Sequence, residues 1–148
     1  MSRNCVWLRV HLVWTTKFRE PMIDSAWETD LYAYAGIAKN KGCHLIASGG
    51  MPDHVHLYVG LSNDISVGRL VNAIKSNSSR WINEVHPSGQ TFRWQRGYGA
   101  FTMNQRNEGY LRTYIANQKR HHQARTAESE MLKLAKLHGH SDDRDWLN

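Results

Sequence analysis

Alternating apolar and polar residues mark the first predicted element of the chain, over residues 5–16 (CVWLRVHLVWTT). Because successive side chains of a strand point to opposite faces, a period of two is typical of a strand with one buried face. The apolar face carries Val6, Leu8, Val10, Leu12 and Trp14, and the other face carries Trp7, Arg9 and His11. The pattern therefore predicts a half-buried strand near the start of the chain.

The next segments predict a helix, a hairpin and a second helix. Asp24 or Ser25 can cap a helix that runs to about Lys41, and Gly42 provides a stop. Residues 43–49 and 54–60 are short apolar runs joined by the turn sequence GMPD, which is typical of a β-hairpin. Apolar residues at helical spacing then predict a helix over residues 66–85.

The last part of the chain adds a strand near residues 99–103 and helices over about 107–124 and 127–138. The order β-α-β-β-α-β predicts an α+β, ferredoxin-like fold, with an antiparallel sheet, helices on one face and an added C-terminal helix region. We expect one domain over residues 1–148, with a core at about 5–125 and a C-terminal helix and tail over 126–148. The apolar stripe of the last helix is Met131, Leu134, Ala135 and Leu137.

Composition and charge limit the classes of protein to which this chain could belong. Apolar residues make up 41% of the chain, but no apolar run approaches the length of about eighteen residues that a membrane-spanning helix needs. Cys5 and Cys43 are too few for a disulfide scaffold and lack zinc-type spacing, so we expect a cytoplasmic protein without a signal peptide. A formal net charge of +6 favours a polyanionic partner.

Two histidines on the predicted strand 54–60 are candidates for metal binding. His54 and His56 point to the same side of that strand, about 7 Å apart by the rise of a strand, and can reach a single metal ion. A His-x-His pair also occurs as ordinary surface or hydrogen-bonded histidines, because imidazole is common and versatile. The pair alone leaves both interpretations open.

A tyrosine and a glutamine on the predicted helix 107–124 add to this chemistry. Tyr114 and Gln118 are four residues apart, so they lie one above the other on a helix face. The same spacing is also found where a tyrosine packs at a helix edge beside a solvated glutamine that has no functional role. A tyrosine hydroxyl, with a pKa of about 10, is a poor nucleophile unless a group such as a divalent cation polarises the phosphate. Two imidazoles and the Gln118 oxygen would make a three-ligand site suited to Mg²⁺ or Mn²⁺.

The chain resembles the single-tyrosine HUH transposases of the insertion-sequence-200-like group, of which the REP-associated tyrosine transposases are close relatives. The resemblance implies that His54 and His56 are metal ligands, that Tyr114 is the nucleophile and that Gln118 is the third ligand. The segments that carry it, in order, are HLVWTTKFR at 11–19, GGMPDHVHLYV at 49–59, LVNAIKSNSSRWI at 70–82, WQRGYGAFTM at 94–103 and YIANQ at 114–118.

The resemblance also implies a reaction and a partner. It implies an enzyme that cleaves and rejoins single-stranded DNA at hairpin ends, through a covalent 5′-phosphotyrosine and with Mg²⁺ or Mn²⁺. It further implies a homodimer in which the tyrosine helix can act in trans, on the histidine pair of the other copy. The basic residues predicted to bind DNA are Lys17, Arg19, Lys75, Arg80, Lys119 and Arg120.

Other functions stay open at this point. A non-catalytic, RRM-type nucleic-acid-binding protein could use Trp94, Tyr98 and Phe101 for base stacking, but it has no use for the histidine pair or for Tyr114. A domesticated relative that processes chromosomal repeat hairpins would share all of the predicted chemistry. A zinc-stabilised interaction domain is disfavoured, because no paired cysteines lie near the histidines.

Overall fold

A computed structural model of the chain describes residues 4–121, 126–139 and 144–147. The strands are β1 (Arg9–Thr15), β2 (His44–Met51), β3 (His54–Gly60) and β4 (Gly99–Thr102). They form one sheet in the order β2–β3–β1–β4, and all neighbouring strands are antiparallel. β1 and β3 are thus adjacent at the centre of the sheet although β2 lies between them in the chain, as in a ferredoxin-like fold.

The α-helices of the described residues are α1 (Glu28–Ala35), α2 (Val67–Val85), α3 (Glu108–Ala116), α4 (Gln118–His121) and α5 (Ala127–Leu137). Short 3₁₀ helices cover Lys17–Arg19, Gly36–Lys41, Gln105–Asn107 and Asp145–Leu147. Ser66 and Thr126 cap α2 and α5 by accepting hydrogen bonds from backbone N–H groups of the first turn. None of these helices has the length and apolarity needed to cross a membrane.

Helices α1 and α2 pack on one face of the sheet and enclose the larger hydrophobic core. Trp14 and Leu57 reach this core from the central strands, Leu31 reaches it from α1, and Leu70 reaches it from α2. Each of these side chains loses nearly all of its contact with water, which stabilises the layered arrangement. The predicted α+β, ferredoxin-like fold is confirmed.

The C-terminal helices cover the opposite face of the sheet. Val13 of β1 packs with Met131 of α5, and Tyr58 of β3 packs with Ile115 of α3. The prediction of a half-buried first strand is therefore wrong, because residues 10–15 are buried on both faces. The alternation along β1 correctly separates two faces but gives no information about a second helix layer formed much later in the chain.

The predicted hairpin, the helix over 66–85 and the strand near 99–103 are confirmed. Several other elements begin or end at residues different from those predicted. β1 begins at Arg9, and the first predicted helix continues beyond α1 as 3₁₀ helix to Gly42, whose φ of 74° ends it. The predicted helix over 107–124 is interrupted at Asn117, between α3 and α4. Residues 122–124 of that prediction, and residues 140–143 and 148 of the predicted tail, lie outside the described residues.

Candidate metal centre and active site

Two buried histidines on β3 form the centre of the candidate site. His54 and His56 are 1% and 0% exposed, and their ring centroids lie 5.2 Å apart. Both rings point to the face that α3 and α5 cover, whereas Val55 and Leu57 belong to the core beneath α1 and α2. The alternation along β3 therefore places both imidazoles on one side of the sheet, as the sequence predicts.

A neighbouring side chain contacts Nδ1 of each imidazole, on the side of the ring away from the centre of the site. Nδ1 of His54 lies 2.7 Å from Oδ1 of Asp53, and Nδ1 of His56 lies 2.8 Å from Nε2 of His11 on β1. These contacts fix the orientation of both rings and leave Nε2 as the atom that each directs toward the centre of the site. Support of this kind is typical of histidines that bind metal ions.

A neutral His11 allows Nε2 of His56 to bind a cation. Burial, and then the nearby His56 and His138, lower the pKa of His11 well below its usual value of 6.5. His11 is therefore neutral at pH 7, and its Nε2 can accept a hydrogen bond from Nδ1–H of His56. In that tautomer Nε2 of His56 carries a lone pair, as a metal ligand must.

Gln118, at the start of α4, and Glu130, on α5, close the other side of the centre, and both are buried. Oε1 of Gln118 lies 3.3 Å from Nε2 of His54, and Nε2 of Gln118 donates a hydrogen bond of 3.2 Å to Oε1 of Glu130. The Glu130 carboxylate approaches Nε2 of His56 at 3.4 Å and Nε2 of His54 at 3.8 Å. Four polar side chains from three elements thus converge on one small volume.

The chemistry of these donors fits a divalent cation. Ligand atoms of His54, His56 and Glu130 lie within 4.8 Å of one another, so the three residues could hold a metal ion. Burial raises the pKa of Glu130 to about 7, while the nearby His54 lowers it and Asp53 raises it further. A positive ion at the centre would favour the ionised carboxylate and offset the cost of burying it.

Tyr114 lies beside the histidine pair within the same chain. Its ring is perpendicular to the ring of His56 at a centroid distance of 5.8 Å, and Tyr110, one turn earlier, stacks on it at 6.5 Å. Tyr114 and Glu130 also line a cleft of about 820 Å³, a size typical of ligand-binding sites. Other polar and basic residues along this cleft are Asn104, Asn107, Arg120, Lys133 and His138.

The basic residues predicted to bind DNA have different surroundings in the structure. Arg120 lines the cleft, and Lys119, on the same short helix, forms an ion pair of 2.8 Å with Glu28. Arg19 lies 3.6 Å from Glu128 of α5. Because both ion pairs are at least partly exposed, they leave these cations available to exchange their partners for phosphate groups.

Lys75 and Arg80 are on α2, across the sheet from the cleft. Arg80 is exposed, whereas Lys75 donates hydrogen bonds to three backbone carbonyls. Lys17 lines a separate cleft of about 410 Å³. Two of the aromatic residues considered for base stacking, Trp94 and Phe101, are buried in the protein. Of the six predicted cations, Arg120 is the one that the fold brings to the cleft.

Sequence analysis missed Glu130 as part of this site. The residue lies on the apolar stripe of α5, three positions after Ala127 and next to Met131, both of which are buried. Leu137, which the prediction placed on that stripe, is 71% exposed instead. A carboxylate at a buried helical position is the signal that could have identified it. The supporting contact of His11, by contrast, requires knowledge of the pairing between β1 and β3.

Comparisons with known proteins identify relatives of this chain. The family model described as "Transposase IS200 like" matches residues 5–118. The ISDra2 transposase TnpA of Deinococcus radiodurans is 26% identical over 118 residues, which cover 75% of this chain and 84% of that protein. A crystal structure of a candidate transposase from Deinococcus radiodurans R1 has a TM-score of 0.62 and 27% identity, and the match covers 80% of this chain and 96% of that one.

A solved structure of lower sequence identity has the same fold. The structure of a REP-associated tyrosine transposase bound to a REP hairpin matches with a TM-score of 0.58 and 14% identity, over 79% of this chain and 72% of that one. Fold and family together define the class of this protein as a transposase, a DNA-processing enzyme. The chain belongs to the IS200-like transposase family, as its sequence indicates.

Proposed function

We propose that this transposase cleaves and rejoins single-stranded DNA at hairpin ends, with Tyr114 as its nucleophile and with Mg²⁺ or Mn²⁺ bound by His54, His56 and Gln118. The observation that carries the proposal is the distance of 5.8 Å between the rings of Tyr114 and His56, next to the converging donors. A phenol beside a cation site fits the transfer of a phosphoryl group to tyrosine. The hairpin in the structure of the REP-associated relative supports a hairpin substrate.

The proposed step exchanges one phosphoester for another. A bound cation would neutralise charge on the scissile phosphate. The Tyr114 oxygen loses its proton and attacks phosphorus, the bond from phosphorus to the 3′ oxygen breaks, and that oxygen takes up a proton to leave as a 3′-hydroxyl. A 5′-phosphotyrosine remains on the protein. Because the ester bond is conserved, a second 3′-hydroxyl can attack it, release Tyr114 and rejoin the strand without ATP.

Basic side chains around the cleft would hold the DNA strand. Arg120 is placed to contact phosphates near Tyr114, and such contacts give affinity without sequence preference. Lys17, Arg19 and Lys119 are candidates for phosphate contacts farther along the strand. We expect two copies of the chain to act as a homodimer on paired hairpin ends.

The covalent intermediate gives a direct test of this proposal. We expect the wild-type chain, incubated with a library of hairpin-containing single-stranded oligonucleotides and Mn²⁺, to yield a DNA-linked peptide that contains Tyr114. Denaturing gels and mass spectrometry detect this adduct. The change Tyr114→Phe removes one hydroxyl group, so it should abolish the adduct while DNA binding persists, and EDTA should prevent adduct formation by the wild-type chain.

A matched control is available on the same helix. Tyr110 is 76% exposed one turn before Tyr114, and Tyr110→Phe should retain the adduct. An adduct that survives Tyr114→Phe would show that another residue is the nucleophile. DNA binding by the wild-type chain with no adduct under any condition would favour the non-catalytic nucleic-acid-binding protein.

A further inference from the structure

Glu130 is a buried carboxylate at the histidine pair to which the proposed function assigns no role. Its two oxygens approach Nε2 of His56 at 3.4 Å and Nε2 of His54 at 3.8 Å, and its side chain is only 3% exposed. Burial of a carboxylate costs free energy unless an opposite charge or several hydrogen bonds compensate for it. The position of Glu130 therefore places an anionic group beside both Nε2 atoms, at the centre of the site.

The packing of α5 holds Glu130 in this position. Met131 and Ala135 of α5 are buried against Val13 and Phe101 of the sheet. The cap formed by Thr126 fixes the first turn of the helix, and that turn contains Glu130. The carboxylate is thus carried by a helix docked on the sheet, so its approach to the histidines does not depend on a loose chain segment.

The carboxylate offers the kind of ligand that the three residues already assigned to the cation lack. His54, His56 and Gln118 are neutral donors, and two of them offer nitrogen, whereas Mg²⁺ and Mn²⁺ prefer oxygen ligands and are held mainly by carboxylates. Two ligand atoms of one such ion lie roughly 3–4 Å apart, as metal–oxygen distances near 2.1 Å require. The separations of the Glu130 oxygens from both Nε2 atoms, 3.4 and 3.8 Å, fall in that range.

We propose that Glu130 is a direct ligand of the divalent cation, and that cation binding thereby fastens α5 to β3. The inference rests on the proposed function, because it uses the same cation. It adds an anionic oxygen to the three ligands assigned above and makes the C-terminal helix part of the metal centre. The amide nitrogen of Gln118 donates a hydrogen bond to Oε1 of Glu130. The Glu130 carboxylate would therefore also orient the Gln118 side chain toward the cation.

A simpler role for Glu130 makes a different prediction. If Glu130 served only to accept the hydrogen bond from Gln118, then Glu130→Gln would preserve that role, because the new amide oxygen can accept the same bond. If Glu130 binds the cation, the same change removes the one anionic ligand of the site. The isosteric variant therefore distinguishes a ligand from a positioning residue.

The test is calorimetric titration of Mn²⁺ into the full chain without DNA, for the wild type and for Glu130→Gln. We expect the variant to lose at least about tenfold in Mn²⁺ affinity, the scale on which changes at metal sites act. His56→Ala serves as a reference for loss of an assigned ligand. Glu128→Gln is the matched control, since Glu128 lies on the same helix but pairs with Arg19 and Arg144 at the surface, and it should bind Mn²⁺ like the wild type.

A thermal readout checks the link to α5. Mn²⁺ should raise the melting temperature of the wild type and of Glu128→Gln, and it should raise that of Glu130→Gln much less. Wild-type affinity in a folded Glu130→Gln variant would overturn the assignment of Glu130 alone. Absence of Mn²⁺ binding by the wild type, or binding unaffected by His56→Ala, would overturn the proposed metal centre together with it. Glu130→Ala, which removes the carboxylate altogether, replaces Glu130→Gln if the latter does not fold, and normal Mn²⁺ affinity together with a normal Mn²⁺-induced rise in melting temperature would then overturn the inference.

Discussion

The ammonium group of Lys75 on α2 contacts the backbone of the segment that leads into β4. It donates hydrogen bonds to the carbonyls of Gln95, Arg96 and Gly97, at 2.9, 3.3 and 2.7 Å. The side chain of Gln95 in turn accepts a hydrogen bond from the backbone N–H of Thr15 on β1. Lys75 therefore connects α2 to the segment that leads into β4, and this structural role accounts for its charge without DNA.

The change Lys75→Met tests that role. It should lower the free energy of unfolding at pH 7 by about 1–3 kcal/mol, because three carbonyls lose a charged donor, and it should leave affinity for single-stranded DNA unchanged. Urea denaturation and a binding titration measure the two quantities. Arg80→Met, on the exposed side of the same helix, should change stability little. A stable Lys75→Met protein with weakened DNA binding would instead support the role predicted from sequence.

The pH dependence of stability is a second readout for the same variant. Burial lowers the pKa of Lys75 to about 8 in the folded chain, below the value of about 10.4 of an exposed lysine. Between about pH 8 and pH 10.4 the Lys75 amine is more fully protonated in the unfolded chain than in the folded chain. The contribution of Lys75 to the free energy of unfolding therefore rises with pH in this range. We expect the stability of the wild type relative to Lys75→Met to increase from about pH 8 to pH 10, and to be constant below pH 7.

At the scale of elements, Gly49 of β2 determines how closely α3, the helix that carries Tyr114, approaches the sheet. A Cβ atom on Gly49 of β2 would lie 2.3 Å from the carbonyl oxygen of Ile115 on α3. In the register of the hairpin, Gly49 is paired with His56. The missing side chain thus allows the backbone of α3 to rest on β2, beside the strand that carries the histidines, and it places Tyr114 at its observed distance from His56.

Gly49→Ala should therefore displace α3 and impair catalysis more than folding. We expect a loss of about 1–3 kcal/mol in unfolding free energy from overpacking, and a fall in the cleavage rate of at least about tenfold, because small misplacements of a nucleophile are costly. Gly109→Ala is the control, since its Cβ meets nothing within 4 Å on the same helix and should stabilise the chain by about 0.5–1 kcal/mol. Full cleavage activity in Gly49→Ala would show that α3 can shift without consequence.

Local patterns in the sequence predict most of these elements, because period-two runs, caps and the stop at Gly42 act within a few residues. They do not predict contacts between elements. The break at Asn117, where the predicted tyrosine helix divides into α3 and α4, has no glycine or proline to mark it. The burial of His11 and Glu130 likewise depends on strand pairing and on the docking of α5, which no local pattern contains.

At the scale of the whole molecule, the sheet separates two functions. Its face beneath α1 and α2 forms the larger core and supplies stability, whereas the face beneath α3 and α5 holds the polar site. Four residues of this site are predicted from the sequence, and the fold brings them together within one chain: His54, His56, Tyr114 and Gln118.

Mixing two inactive variants tests whether a single chain supplies a complete active site. Tyr114→Phe keeps the histidine pair, and His56→Ala keeps the nucleophile, so a dimer that exchanges tyrosine helices would rebuild one intact site from the mixture. Because Tyr114 lies 5.8 Å from His56 of its own chain, we expect the mixture to form no more phosphotyrosine adduct than either variant alone. Wild type mixed with each variant controls for inhibition by inactive chains. Adduct formation by the mixture, mapped by mass spectrometry to the His56→Ala chain, would show that α3 acts on the histidine pair of the other copy and that the arrangement within one chain is a resting state.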